Sequence, residues 1–246
     1  MDALRFAVQF LTRLPVPLGR APGNDLLAPA AALFPVVGAL IGALVGALYA
    51  AVSLLGLPTL PAAILALSAM ILLTGALHED GLADVADGFG GGKNAAQKLE
   101  IMRDSRIGSY GVIALMLALF ARLIALAGLW DPYYAALVLI CAASASRAAM
   151  VPVMQLLPPA RRDGLAARAT PPKAAHTLSA SAIACLLTFL LLPPGTAAVA
   201  LVATALGPLA LAWLALRQIG GHTGDVLGAV QQVAEIGFLF AILAMR

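Results

Sequence analysis

Long runs of Ala, Leu, Val and Ile with almost no charge dominate this chain, and they dictate its fold class. Five or more of these runs approach the roughly 20 residues that a helix needs to cross a bilayer. A soluble all-helical protein would carry regular charges along one face of each helix, and these runs lack them. Composition agrees: of 246 residues, 62% are hydrophobic and 11% charged, with a mean hydropathy of +0.97. The expected fold is all-α, a polytopic membrane-embedded helical bundle forming a single domain over residues 1–246.

The pattern predicts seven spans, at about 30–57, 60–77, 110–130, 133–157, 177–192, 196–216 and 226–245. The first is long enough to hold a break, at Phe34-Pro35 or among Gly38, Gly42 and Gly46, whose four-residue repeat also suits close helix packing. Before it, the first 14 residues fit an amphipathic helix. Leu4, Ala7, Val8, Leu11 and Leu14 share one face, while Arg5, Gln9 and Arg13 take the other. Such a helix lies in the membrane interface, as an anchor or beside a site. The N-terminal stretch 1–29 is too broken by Arg and Pro to offer a cleavable signal peptide. Cys141 and Cys185 sit in apolar runs and read as small buried hydrophobes, not as a disulfide or a metal pair.

Basic residues set the orientation. Arg5, Arg13 and Arg20 precede the first span, Lys93, Lys98, Arg103 and Arg106 follow the second, Arg161, Arg162, Arg168 and Lys173 follow the fourth, and Arg217 follows the sixth. Alternating spans put these twelve of the fifteen on one side, with Arg122 and Arg147 inside spans and Arg246 opposite. The positive-inside rule makes the basic side cytoplasmic. Topology accounts for the net charge of +3, so no nucleic-acid partner is implied.

Against this apolar background stands a polar island. Residues 78–111 hold six of the twelve acidic residues: Glu79, Asp80, Asp84, Asp87, Glu100 and Asp104. Asp80, Asp84 and Asp87 are spaced i, i+4 and i+7, which on a helix places three carboxylates on one face. Carboxylates that close repel, and a divalent cation relieves the repulsion. The functional reading is Mg²⁺ held by Asp80, Asp84 and Asp87 on a phosphate or diphosphate; the plain reading is a solvated loop balanced by its own Lys and Arg. The glycine run 88–92 followed by Lys93 fails the P-loop pattern and reads as a hinge, with Asn94 capping a short helix.

Two further clusters share the cytoplasmic side. Arg103-Asp104-Ser105-Arg106 offers two arginines for phosphate around an Asp that could serve as metal ligand or base, or else simply anchors the chain at the interface. Gly220-Gly221-His222-Thr223-Gly224-Asp225 suggests tight backbone approach to a ligand, or an ordinary loop with Asp225 capping the next helix. Within spans, Arg122, Arg147 and Glu235 need partners; Arg147 is a phosphate-ligand candidate or half of an Arg–Glu235 structural pair. The candidate site segments are therefore about 78–109 and 217–225.

These residues resemble the membrane-embedded cobalamin synthases (adenosylcobinamide-GDP ribazoletransferases). The resemblance rests on His78, Asp80-Gly81-Leu82-Ala83-Asp84 and Asp87-Gly88, and on Leu99 through Gly108 with Gly111. It extends to Phe10 through Pro15, Phe34-Pro35 with Gly38, Ser146-Arg147, Gly220-Gly221, Thr223-Gly224-Asp225, Leu227-Gly228-Ala229 and Glu235, so it covers nearly the whole chain. Glu79, His222 and, beside Gly164-Leu165, Ala166 depart from the pattern, and Glu79 is not counted among the core acids.

The resemblance implies transfer of the adenosylcobinamide-phosphoryl group of adenosylcobinamide-GDP to α-ribazole or its 5′-phosphate, with release of GMP and with Mg²⁺ as cofactor. It implies a multi-pass protein of the bacterial inner membrane whose site faces the cytoplasm. By it, Asp80, Asp84, Asp87 and Asp225 are the metal candidates, with Asp104 as a further ligand or base. Arg103, Arg106 and Arg147 are the phosphate-binding candidates, Thr223 and Gly224 line the ligand, and His78 is the candidate base. Membrane lipids are expected neighbours, and a homo-oligomer is left open. A CDP-alcohol phosphotransferase is the nearest alternative, but here Ala83 is followed by Asp84 where that family has Arg. An ion-coupled transporter would scatter acids at the midplane, whereas only Glu235 is clearly internal.

Overall fold

The computed structural model describes residues 2–17, 25–161, 163 and 169–245. The regular elements there are all helical: α1 Asp2–Leu11, α2 Leu27–Ala31, α3 Phe34–Leu54, α4 Thr59–Thr74, α5 Leu77–Gly91, α6 Ala95–Ile101, α7 Ser109–Ala127, α8 Pro132–Ala148, α9 Met150–Leu156, α10 Ala174–Leu191, α11 Pro194–Ile219 and α12 Gly224–Ala244. Six helices, counting α8 with α9 as one, are long and apolar enough to cross a membrane, and α4 with α5 makes a seventh as a bent span. The chain is a multi-pass helical membrane protein, with spans where hydropathy places them. Arg20, Arg162, Arg168 and Arg246, and the Gly164-Leu165-Ala166 segment, lie outside the described residues.

The centre of the bundle is α8–α9 with α12, whose spans are 78% and 72% buried, against 17–28% for α7, α10 and α11. Those outer helices turn large side chains such as Leu117, Phe120, Leu186, Leu190 and Leu206 outward, as lipid-facing helices do. On the other flank α3 lies against α8 through its glycines. A Cβ on Gly38 or Gly42 would overlap the backbone of Ala143 or Leu139, and one on Gly46 would come within 2.8 Å of Ala136 Cα. The four-residue glycine repeat is thus a packing groove, and the break falls just before α3, where Pro35 sits in the first turn. Both cysteines are free; Cys141 is buried as expected, but Cys185 lies on the outer side of α10 and is exposed.

The buried side of α1 differs from the aliphatic stripe expected for it. Phe6, Ala7 and Leu11 are buried, and Phe6, Phe10 and Phe34 stack in a row with ring centroids 6.1 and 5.7 Å apart. Leu4 and Leu14 remain exposed. Aromatic stacking on the start of α3 decides the rotation of this helix.

The second span departs most from expectation. Instead of a full-length helix followed by a polar loop, α4 stops at Thr74 and the acidic segment forms a second helix, α5, at 86° to it. Gly75 and Ala76 at the corner take left-handed conformations, with φ of 68° and 58°. For Ala76, which carries a Cβ, that conformation is strained. The Arg13 backbone N–H donates to the Leu73 carbonyl at 2.8 Å, and its side chain lies over Gly75, where no Cβ obstructs it. The freed end of α4 is thereby capped by the segment after α1. The glycine run is likewise helical through Gly91 and not a hinge, because Gly88 and Gly92 lie directly against α6. Asn94 does cap α6, accepting from Gln97 N–H at 3.0 Å.

What fixes α5 in the bundle is a cluster of buried charge. Arg122 of α7 reaches Glu79 of α5 at 2.7 Å and Glu235 of α12 at 2.9 Å; Arg147 of α8 reaches Glu235 at 3.2 Å. Gln232 donates to Glu79 at 3.1 Å, and Gln231 donates to Glu235 at 2.5 Å and to Ser146 Oγ at 3.1 Å. Two arginines meet two glutamates, so the cluster is neutral, and four helices are tied through it. Removing one partner from such a buried set leaves an uncompensated charge, which costs about 3–5 kcal/mol. Glu235→Ala should therefore lower the thermal unfolding midpoint in detergent sharply, whereas Glu235→Gln keeps some hydrogen bonds and should fall between; a wild-type midpoint for Glu235→Ala would defeat this reading. Gly42→Val, which forces α3 off α8, should destabilise by about 1–3 kcal/mol in the same melt.

Candidate active site

The acidic face survives in the folded chain, graded in exposure. Along α5, Asp80 is exposed, Asp84 is half-buried and Asp87 is buried. The opposite side of α5 carries His78 and Glu79 into the bundle. The N-terminus of α12 meets α5 closely, because Gly81 lies against the backbone of Asp225 and Gly228 against that of His78. This contact brings Asp225 to the carboxylates of α5, across about 140 residues of sequence. Asp80, Asp225 and Asp87 all act on Asp84 as like charges, and Arg161 opposes them.

Asp87 has a second task. Its two carboxylate oxygens accept from the backbone N–H groups of Gly108 at 2.7 Å and Gly111 at 2.9 Å. These are orphan amides of the first turn of α7, where the helix dipole also favours an anion. A side chain at either glycine would collide with the carboxylate. Each oxygen keeps a second lone pair, so anchoring α7 and binding a cation are compatible.

Among the described residues, no three His, Cys, Asp or Glu side chains close around a point as a ready-made metal cage. Mg²⁺ seldom uses such a cage; it binds through one or two carboxylates, with waters and substrate phosphates completing its shell. Like charges gathered beside Asp84, all oxygen donors and open to water at Asp80, fit that mode. The residues suit Mg²⁺ held jointly with a phosphate.

Arg103, Asp104 and Arg106 lie on the connection between α6 and α7, at the same end of α7 as Gly108. Arg103 grips Asp163 with both oxygens at 2.5 and 2.6 Å. Arg106 folds back on Asp104, with Nη2 2.7 Å from Oδ2, and this hydrogen bonding holds the Asp104 carboxyl down at about 2. A carboxylate that acidic is a weak proton acceptor near neutrality. Arg147, in contrast, belongs to the buried charge cluster, paired with Glu235 and donating to the Ala143 carbonyl at 3.2 Å. His78 is also interior, roughly half a turn around α5 from Asp80, and its Nε2 has no hydrogen-bond partner.

The glycine-rich turn before α12 differs in detail from its expected role. Thr223, not Asp225, caps α12, accepting from Val226 N–H at 3.2 Å while its hydroxyl donates to Asp225 Oδ2 at 3.2 Å. The tight backbone approach is at Gly221, and it is to Pro158: His222 N–H donates to the Pro158 carbonyl at 2.9 Å and Ala160 N–H to the His222 carbonyl at 2.8 Å. Gly224 faces open space. Burial lowers the His222 imidazole below its ordinary value, which keeps it neutral.

This short bridge delivers a residue that the sequence did not single out. Arg161 reaches Asp225 Oδ2 at 3.3 Å and the Leu99 carbonyl at 3.2 Å, and its Nε is buried without a partner. In the sequence it is one basic loop residue among several, and nothing distinguishes it until 158–160 pairs with 222. Arg161 also borders two cavities. One, of about 590 Å³, lies between Met154, Leu157, Pro158, Arg161 and Thr170 on one side and the start of α12 on the other; the second, of about 290 Å³, lies over α6. A third, of about 310 Å³ among α8–α11, has no charged residue in its wall.

Comparison with known proteins identifies the family. Residues 3–243 match the family model described as cobalamin-5-phosphate synthase. The adenosylcobinamide-GDP ribazoletransferase of Bradyrhizobium diazoefficiens is 47% identical over 243 residues, covering 99% of this chain and 94% of its own length. That of Azorhizobium caulinodans is 50% identical over 248 residues, covering 96% and 93%. A third, from Mesorhizobium japonicum, is 47% identical over 239 residues, covering 97% and 92%. No solved structure matches the chain. With carboxylate helix, glycine-rich turn and buried charges all inside one nearly full-length match, this chain belongs to the cobalamin-5-phosphate synthase family.

Proposed function

We propose that this transferase moves the adenosylcobinamide-phosphoryl group of adenosylcobinamide-GDP to α-ribazole or its 5′-phosphate, releasing GMP. The observation that carries the reading is the approach of Asp84 and Asp225 to Arg161, the residue that borders both cavities, in a chain of this family. The reaction forms a bond from an acceptor hydroxyl oxygen to the cobinamide-side phosphorus. The anhydride bond to GMP breaks, the electron pair leaves with GMP, and the hydroxyl proton passes to water. Such a transfer depends on positioning two partners and offsetting phosphate charge.

In this proposal Asp80, Asp84 and Asp225 hold Mg²⁺, with Asp87 beside them anchoring α7. Bound there, Mg²⁺ would offset diphosphate charge. Arg161 stands next to Asp225 and supplies a guanidinium to a transferring phosphoryl oxygen. Arg103 and Arg106, more exposed, suit the departing GMP. Asp104, held acidic, serves to orient Arg106 rather than to take a proton. Buried Arg147 and His78 act on the site through α5 and α12. The basic connections support the reading that this end of the bundle faces the cytoplasm from an inner membrane.

The test is GMP release by detergent-purified protein given adenosylcobinamide-GDP, α-ribazole and Mg²⁺. EDTA should abolish turnover and added Mg²⁺ restore it. Asp84→Asn should cost about a hundredfold or more in kcat. Arg161→Ala should cost about tenfold or more in kcat/KM, as loss of a charged hydrogen bond does. Full activity in EDTA would remove the metal from the proposal, and an active Asp84→Asn would remove the acidic face.

A further inference from the structure

The two cavities that share Arg161 and Asp163 have different walls. The larger is apolar over most of its extent, with Phe10, Leu27, Met154, Leu157 and Leu227 among its lining, and its polar groups include His222, Thr223 and Arg161. Thr223 is hydrogen-bonded to Asp225, so this polar part adjoins the carboxylates of the site. The smaller cavity is lined by Ala96, Leu99, Glu100, Arg103, Arg161 and Asp163, a mainly polar set.

The two reactants differ in the same way. The acceptor is a flat aromatic base joined to a sugar: one end apolar, the other rich in hydroxyls. The donor is a corrin macrocycle ringed by amides, with a diphosphate and a guanosine. A cavity of about 590 Å³ lies in the range that encloses a small ligand and orients it by a few polar groups. The amides of a corrin would be stranded against these aliphatic walls, which is costly without hydrogen-bond partners.

We infer that the larger cavity is the acceptor site. The aromatic base lies among Phe10, Met154 and Leu227, and the sugar points toward Thr223 and Arg161. The donor's phosphates approach from the side of Arg103, and its corrin stays outside the cavity. Arg161 then stands where acceptor hydroxyl and donor phosphate meet. This assignment rests on the transferase reading above and adds to it which reactant enters where.

The experiment is two-substrate kinetics on the full chain in detergent, with two cavity-filling variants. Met154→Trp occupies the wall, and Thr170→Trp narrows the cavity from an exposed lining position, so it folds even if the first does not. Each should raise the KM for α-ribazole by about tenfold or more, the usual penalty of overpacking a formed site, and leave the KM for adenosylcobinamide-GDP unchanged. Arg103→Ala should do the reverse. Equilibrium dialysis of α-ribazole against the protein without donor should show the same loss in the Trp variants. If filling the cavity raises the corrinoid KM and spares α-ribazole, the assignment is overturned. Wild-type protein that releases no GMP overturns the transferase reading, and the assignment with it. Wild-type turnover with Thr170→Trp retaining the normal α-ribazole KM and binding overturns the assignment alone.

Discussion

Two arginines and two glutamates buried inside a membrane bundle constrain everything around them. A single charge in that environment is expensive, and pairing with good geometry offsets much of the cost. Here Glu79, Arg122, Arg147 and Glu235 come from α5, α7, α8 and α12, with Gln231, Gln232 and Ser146 hydrogen-bonded among them, while Glu79 Oε2 and the Nε atoms of Arg122 and Arg147 stay without a partner. No one helix can rotate without breaking a contact that another depends on. Because Glu79 is held inward, Asp80 and Asp84, most of a half-turn away on α5, are held outward. Because Glu235 is held on the same arginines, the N-terminus of α12 arrives beside α5 with Asp225. The charge cluster is buried inside the bundle, yet it sets the orientation of the carboxylates that do the chemistry in our proposal.

The broken span solves a related conflict. Three aspartates in one continuous transmembrane helix would meet the apolar layer, where ionised carboxylates have no water. Stopping α4 at Thr74 and turning through 86° lets the acidic helix run along α7 and α12 with protein on one side and an open face on the other. Irregular backbone inside a membrane protein is tolerated where its polar groups find partners. The Leu73 carbonyl finds the Arg13 N–H, and the first amides of α7 find Asp87. Glycines at 75, 81, 108, 111 and 228 are small because a carboxylate, a guanidinium or a helix backbone occupies the space of the missing Cβ.

Local pattern in the sequence makes part of this legible. Hydropathy located the spans, helical spacing put Asp80, Asp84 and Asp87 on one side, and the four-residue repeat of Gly38, Gly42 and Gly46 marked a packing groove. Each depends on neighbours within a few turns. The features that escaped depend on distant partners. Glu79 departs from the family pattern and was set aside, yet it pairs with Arg122, 43 residues on. Arg161 is unremarkable among loop cations until a two-residue bridge to 222 places it on Asp225. The capping of α12 went to Thr223 rather than Asp225, since Arg161 and the α5 contact already claim that aspartate. The aromatic stack of Phe6, Phe10 and Phe34, a tertiary contact, likewise overrode the aliphatic stripe of α1.

The gradient of exposure along α5 then has a physical sense. Asp87, most buried, accepts two backbone amides and anchors the start of α7. Asp84, half-buried, loses part of its water to burial and has Asp80 and Asp225 as like charges with Arg161 in opposition, so a cation beside it is favourable. Asp80, at the exposed end, keeps water. A helix built this way anchors a neighbour with its buried acid, leaves its middle acid short of positive charge, and opens the last to solvent. In our proposal the divalent cation, held together with the diphosphate, would relieve that shortage. The same location explains why Arg161 matters: it is the guanidinium that the fold itself lends to Asp225, and it stands at the boundary of both cavities. A site assembled from the start of one helix and the open face of another requires those two helices to be locked together, and the buried arginines and glutamates supply that lock.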